Sequence, residues 1–389
     1  MSEAPESSPG KEGGEKGGKK RSRAWRILKR VALALCVALL LVTLVVGIAV
    51  KDHVRTLWSL RRIPNTNMYC MDYYGTYNIR EIRENGVDVT DIEGSLIRTF
   101  FPSFLVPLAN DVAESTEPQA VARPDLVVAH RCSTVSFRTE SGQVLFGRNF
   151  DWSHDSCLIL TIHGRDGYSS VAVLDLHYLG LDQRNLEDLG VLEKVRLLFA
   201  PYLVMDGMNE HGLAVSEMAC KAEVSFDDRK PNVNDSLAMR LMLDYARDAD
   251  EAVALLREYN VHFEEIACHF MVADAGGRSL IVEFVDGEMR TLPADDRWQV
   301  CTNNTMSGKS EAERDAACDR YQRASDRLVK LGDEIDCDRL RRVMASISAK
   351  DWTMWTSLYN LTGGQYQVVY RRQFDAPYAD RLAVDRGGP

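Results

Sequence analysis

Residues 130–152 read HRCSTVSFRTESGQVLFGRNFDW, and their pattern decides the fold of the chain downstream. Ser133 to Phe137 and Val144 to Phe150 alternate apolar with polar side chains, the two-residue period of a strand that buries one face. Glu140-Ser141-Gly142 between them is a hairpin signal. A chain folded back at that turn brings Arg148 and Asp151 near Cys132, which opens the first strand directly after His130-Arg131. A Cys becomes a candidate nucleophile where the backbone exposes it beside a base and oxyanion donors. An Arg and an Asp next to a thiol can hold it, and an adjacent amine, in a fixed charged geometry.

The strand pattern continues downstream at Leu158 to His163 and Ser170 to Leu176. Helical periodicity follows at Ser236 to Ala246 and at Ala249 to Tyr259, the second begun by Asp248 as a cap. Strands return at His269 to Ala273, Ser279 to Val285 and Gly287 to Leu292, with turns at Ala275-Gly276-Gly277 and Asp286-Gly287. Helices are expected at Glu311 to Leu331 and Cys337 to Ile347, and last strands at Thr356 to Leu361 and Gln365 to Arg371 around Gly363-Gly364. Hairpin blocks interleaved with helix pairs, rather than regular strand-helix alternation, imply an α+β fold of antiparallel sheets covered by helices.

Upstream the composition changes character. Residues 1 to 18 hold almost nothing apolar and are expected to be disordered; residues 1–30 form a basic tail. Val31 to Val50 is a run of twenty residues without a charge, enough to cross about 30 Å of hydrocarbon as a helix. Seven Lys and Arg between Lys19 and Arg30 precede it, which predicts a signal anchor at 31–50 with its N-terminus in the cytoplasm and the rest of the chain outside. The competing expectation is secretion after signal cleavage, for which Gly47-Ile48-Ala49 is a poor site. Residues 51–131 mix short helical patterns with Pro- and Glu-containing loops, including Phe-rich Thr99 to Leu108. They read as a propeptide or a membrane-proximal helical segment ahead of a domain at 132–389.

The net charge of −10 conceals an asymmetry: residues 1–30 carry nine Lys and Arg against four Asp and Glu, a net of +5. An acidic folded part argues against nucleic acid as a partner. Nine Cys without a CxxC pair or an HExxH motif give no zinc signature. Cys157, Cys220, Cys268, Cys301, Cys318 and Cys337 read as core thiols or a stray disulfide. His154 with Asp155, and His269 beside Cys268, are weak pointers to metal or to Cys-His catalysis.

Four motifs occur in order: Cys132-Ser133-Thr134, LFGRNFDW (145–152), MDGMNEHGL (205–213) and VCTNN (300–304). Together they resemble the choloylglycine hydrolase or linear amide carbon–nitrogen hydrolase family, in its propeptide-bearing branch similar to isopenicillin N acyltransferase-like hydrolases. The resemblance implies an Ntn-hydrolase αββα four-layer sandwich with antiparallel sheets; no cofactor and no metal are expected. It implies that Cys132 becomes the mature N-terminus by autocatalytic cleavage after Arg131, its thiol attacking the amide and its α-amino group acting as base. Carried over by position, Arg148 orients the thiol, Asp151 anchors the amine, Asn209 supplies an oxyanion donor, Asn303 matches the TNN-type segment and Arg320 the late active-site Arg, with Arg323 close by. The implied substrate is a small N-acyl amide, and the cut propeptide can stay associated with the mature domain; an oligomer is compatible with this.

Each residue also has a plainer reading. Cys132 can be a core thiol, Arg148 with Asp151 a surface ion pair, Asn209 a turn residue, Asn303 a cap or loop residue, and Arg320 part of a solvated helix face. An acyltransferase of the same mechanism, a non-catalytic surface module of the same fold and a papain-like protease using His262 or His269 are the rival functions. An acyl pocket is expected around Trp152, Leu176 and Tyr202.

Overall fold

The computed structural model describes residues 18–100, 131–263, 266–332 and 335–385, so the tail before Gly18 and most of the Phe-rich stretch beyond Phe100 lie outside the described residues. The chain divides into two compact units, Met1–Asp52 and His53–Pro389. Helix α1 (Gly18–Trp58) runs unbroken for 41 residues. Among the described residues no helix is long and apolar enough to cross a membrane. Leu41, Val42, Val45, Val46 and Ala49 of the apolar run are not described beyond their helical backbone.

The second unit begins with β1 (Arg61–Arg62), β2 (Met68–Tyr73), α2 (Ile79–Asn85) and α3 (Ile92–Phe100). The expected hairpin is β3 (Ser133–Arg138) and β4 (Val144–Asp151), turned at Gly142, whose φ of 84° lies in the region that favours glycine. Next come β5 (Cys157–Ile162), β6 (Ser170–Asp175), short helical turns over 176–202, β7 (Asp206–Asn209) and β8 (Ala214–Ala219). A small parallel pair, β9 (Asn232–Asn234) and β10 (Asn260–His262), brackets α4 (Asp235–Tyr245) and α5 (Ala249–Leu256). Asp248 caps α5 as expected, its carboxylate accepting from the Glu251 N–H. The chain then forms β11 (Cys268–Ala273), β12 (Ser279–Val285), β13 (Glu288–Pro293) and β14 (Trp298–Cys301).

Where one helix was expected from Glu311 to Leu331 there are two, α6 (Glu311–Ala317) and α7 (Asp319–Leu331). Cys318 between them is extended, at φ −153° and ψ 112°. No glycine or proline marks this break, and it makes Arg320 the second residue of a new helix. The chain closes with α8 (Cys337–Ile347), β15 (Thr353–Asn360), β16 (Gln365–Tyr370) and β17 (Tyr378–Arg381).

The fold is α+β, with two largely antiparallel sheets. One has nine strands in the order β1-β2-β5-β6-β7-β8-β11-β12-β13 and the other six in the order β14-β3-β4-β15-β16-β17. Strand β2 enters the nine-stranded sheet parallel to β5, so residues 68–73 are part of the sheet rather than a separate layer. Alternation along β6 gives each face of that sheet its own core. Ala172 and Leu174 pack with Leu237, Leu241 and Val253 of α4 and α5, while Val171 and Val173 belong to the cluster that holds Cys132. Strand β3 alternates likewise. Thr134 and Ser136 reach the nine-stranded sheet through Ser216 (3.1 Å) and Ser279 (2.8 Å), and Val135 and Phe137 share the second cluster with Leu328, Val343 and Ile347 of α7 and α8. The space between the sheets is therefore lined partly by polar side chains, and it is there that the site lies.

Candidate active site at Cys132

Strands β3 and β4 pair with Ser133 opposite Asn149 and Thr134 opposite Arg148. Directly opposed residues of an antiparallel pair share a face, so Arg148 and Thr134 point together, and Cys132, two residues before Thr134, points the same way. The thiol is buried, and Nη2 of Arg148 lies 3.9 Å from its sulfur. Burial pushes the Cys132 thiol above its usual range; the Arg148 guanidinium opposes that shift.

A fully buried guanidinium needs partners for its charge. Arg148 has them in the Asp206 carboxylate (2.9 Å) and the Glu217 carbonyl (2.9 Å). Asp206 in turn accepts from the Trp355 indole and the Tyr359 hydroxyl on β15, so three strands fix the one arginine. Sequence reasoning passed over Asp206; the signal was a carboxylate embedded between apolar Met205 and Gly207 at the start of a strand.

Asp151 ends β4 opposite an irregularity in β15, where the pairing shifts between Thr353 and Trp355. Thr353 donates its hydroxyl proton to one oxygen of Asp151, and the other oxygen is buried with no hydrogen-bond partner among the described residues. Burial pushes this carboxyl up to about 7, against the Thr353 hydrogen bond and the charges of Arg320 and Arg148.

Arg320 reaches the same place from α7. Its Nη1 donates to the carbonyl oxygens of Arg131 and of Cys132 (2.7 Å for the latter), and its Nη2 to Oδ1 of Asn303 (3.1 Å). Arg323, one turn further, pairs with Asp319 on the exposed face and makes none of these contacts. Asn303 is held in turn by donating to the Ala219 carbonyl at 2.8 Å.

The structure thus brings together Cys132, Arg148, Asp151, Asn303 and Arg320. It does not bring Asn209 to them. Both amide hydrogens of Asn209 go to the carbonyls of Leu243 and Ala246, and its oxygen accepts from the N–H groups of His211 and Leu213. With both donors committed to closing the β7–β8 turn against α4, Asn209 has none left for an oxyanion. Leu176 and Tyr202, expected in an acyl pocket, are buried in the core against α4 and α5, on the other face of the sheet from Cys132; Trp152 does share the Cys132 cluster. His154 accepts from the Trp152 indole and stacks on His177, while Asp155 binds Asn67, Tyr370 and Arg371, so these two neighbours in sequence serve different contacts.

Residues 132–307 match the family described as linear amide C-N hydrolases, choloylglycine hydrolase family. Among solved structures, penicillin V acylase from Agrobacterium tumefaciens is similar at 19% identity, covering 64% of this chain and 84% of that one with a TM-score of 0.46. A variant of conjugated bile acid hydrolase from Clostridium perfringens is similar at 14% identity, covering 64% of this chain and 92% of that one with a TM-score of 0.48. No curated protein matches the sequence.

Proposed function

Because residues 132–307 belong to the linear amide C–N hydrolases of the choloylglycine hydrolase family, we propose that the chain cuts its own Arg131–Cys132 bond and then hydrolyses an N-acyl amide with Cys132 as nucleophile. One observation carries the reading: Arg320 donates to the carbonyl of Arg131, the acyl group on the Cys132 nitrogen, while Arg148 stands beside the Cys132 sulfur. The bond to be cut and the thiol that would cut it already share one electrostatic cage.

In the first step the thiolate adds to the Arg131 carbonyl carbon and negative charge gathers on the oxygen that Arg320 contacts. The C–N bond then breaks, the nitrogen takes a proton, and a thioester joins Arg131 to the Cys132 sulfur. That step frees the α-amino group of Cys132; water then hydrolyses the thioester, releasing the Arg131 carboxylate and regenerating the Cys132 thiol. The unpartnered oxygen of Asp151 gives that new amine an acceptor.

In the mature enzyme a substrate acyl group takes the position that Arg131 vacates. The α-amine, with a reference pKa of about 7.7–8.0, takes the thiol proton and later gives it to the leaving amine. Arg148 holds the sulfur, Arg320 with Asn303 faces the developing oxyanion, and Asn303 retains one amide hydrogen beyond its bond to Ala219.

Two sheets with helices packed beyond each support the finer αββα description of the fold. The uncharged run Val31–Val50 inside α1 supports an anchor that holds the catalytic unit outside the membrane. Fractionation with alkaline carbonate tests the anchor: release of full-length chain into the supernatant would contradict it. For the activity, a screen of N-acyl amides against wild type and Cys132→Ala should give turnover in the first only; equal turnover in both would exclude Cys132 as nucleophile.

A further inference from the structure

Thr353 stands outside every motif that pointed to the site, three residues ahead of the strand expected at Thr356 to Leu361. It is nonetheless buried, pairs with Asp151 where β15 meets the end of β4, and donates its hydroxyl proton to Oδ1 of that carboxylate. The register slips between Thr353 and Trp355, an irregularity of the kind that re-aims side chains beside active sites.

The hydroxyl is fixed from its other side. Its oxygen accepts the Ala349 N–H at 2.8 Å, and the Thr353 N–H returns to the Ala349 carbonyl at 3.1 Å, which closes the turn between α8 and β15. A threonine hydroxyl has a single proton to give. With its oxygen turned to the Ala349 N–H, that proton goes to Asp151, and a second proton on Oδ1 would leave it without an acceptor. The arrangement therefore favours the ionised carboxylate. It also leaves Oδ2, buried and without a hydrogen-bond partner among the described residues, open to an incoming donor.

We propose that Thr353 is a positioning residue of the amidase: it holds Oδ1 of Asp151 so that Oδ2 anchors the α-amino group of Cys132, and thereby sets the acid limit of activity. This rests on the self-cleavage reading, since that amine exists only in the cut chain.

The charged and titratable groups around Asp151 come from three elements: Arg148 on β4, Arg320 on α7, and Arg131 and Cys132 ahead of β3. Burial raises the Asp151 carboxyl, and the Thr353 hydrogen bond opposes that together with the charges of Arg320, Arg148 and Arg131. Arg131 lies on the far side of the cut bond, so in the mature chain the task falls to Thr353, Arg320 and Arg148, joined by the α-ammonium itself. Once Asp151 takes up a proton, the amine loses the charge that holds it and activity falls. A role confined to packing would change stability and leave this pH dependence where it is.

The test starts from the full-length chain, purified and shown by N-terminal sequencing to begin at Cys132. In cut Thr353→Val, which keeps the shape and removes the hydroxyl, the acid limb of kcat/KM for an N-acyl p-nitroanilide should move up by about one to two pH units, the worth of one hydrogen bond to a charged group. Thr353→Ser should restore the wild-type limb. Coincident limbs in cut wild type and cut Thr353→Val overturn the proposal, as does a Thr353→Ser limb that stays with the valine variant. A purified wild type still joined at Arg131–Cys132 overturns the self-cleavage reading, and this proposal with it. Should the valine variant fail to fold or the anilide not turn over, NMR of the cut wild type decides. A slowly exchanging Thr353 hydroxyl proton whose shift follows the titration of Asp151 supports the proposal; rapid exchange, or a shift indifferent to pH, overturns it.

Discussion

Replacing Arg320 by Gln separates the cage around the Arg131–Cys132 bond from the rest of the fold. The guanidinium donates to two carbonyls and to Asn303, so the change removes three charge-assisted hydrogen bonds. Only the one to Arg131 gains strength as the carbonyl oxygen becomes an oxyanion; the other two hold the arginine and are lost equally from ground and transition states. The rate effect is therefore that of one oxyanion donor, about 3–4 kcal/mol or a 100- to 1,000-fold slowing of self-cleavage. The assay is a time course of intact mass after cell-free synthesis, which counts uncut and cut chains directly. Arg323→Gln is the control, since its partner is Asp319 on the exposed helix face and cleavage should keep its wild-type rate. Wild-type cleavage in Arg320→Gln, or equal slowing in both variants, would refute the assignment.

Further outcomes rest on other contacts. Arg148→Met leaves Asp206 buried without its cation and should lower unfolding stability by about 3–5 kcal/mol, read as a shift in urea midpoint. In uncut Cys132→Ala, Asp151 has a folded pKa of about 7 against the ordinary 3.8, so the native state binds the extra proton. Stability is then fullest at the acid end of that window and falls as pH rises through about 7, by up to about 4 kcal/mol, and Asp151→Asn should flatten the profile. Asn209→Ala should destabilise the β7–β8 turn yet leave kcat of the folded fraction near wild type; a selective kcat loss with unchanged stability would restore it to the site. Gly212→Ala should be far worse than Gly142→Ala: both have positive φ, but a Cβ at Gly212 would meet the Leu361 carbonyl at 2.3 Å while Gly142 has open space. The expected costs, by thermal unfolding, are more than about 3 kcal/mol for the first and about 1 kcal/mol for the second.

The hairpin at 133–151 was legible because its period, its turn residues and its register all sit within twenty residues. From that register alone Arg148 was expected beside Cys132, and the structure agrees. The features that stayed hidden depended on distant partners. Strand β2, MYCMDY, carries no strict alternation because both its faces are covered, and its parallel neighbour β5 lies almost ninety residues on. Strand β14 is only four residues long, and the break at Cys318 has no breaker residue to announce it. Asn209 was expected as an oxyanion donor from the family resemblance, against its plainer reading as a turn residue; the carbonyls that consume its amide belong to Leu243 and Ala246, on a distant helix and its end. His269 on β11 meets Glu283 on β12 and Cys301 on β14 of the other sheet, a convergence that no spacing along the chain records.

The central claim is that Cys132 is at once cut site, nucleophile and carrier of the base. N-terminal sequencing and intact mass of purified wild type, measured beside its amidase activity, test it most directly. The account predicts a chain beginning at Cys132 in every active preparation and an uncut, inactive Cys132→Ala. Amide hydrolysis by a wild-type chain still joined through Arg131–Cys132 would contradict it.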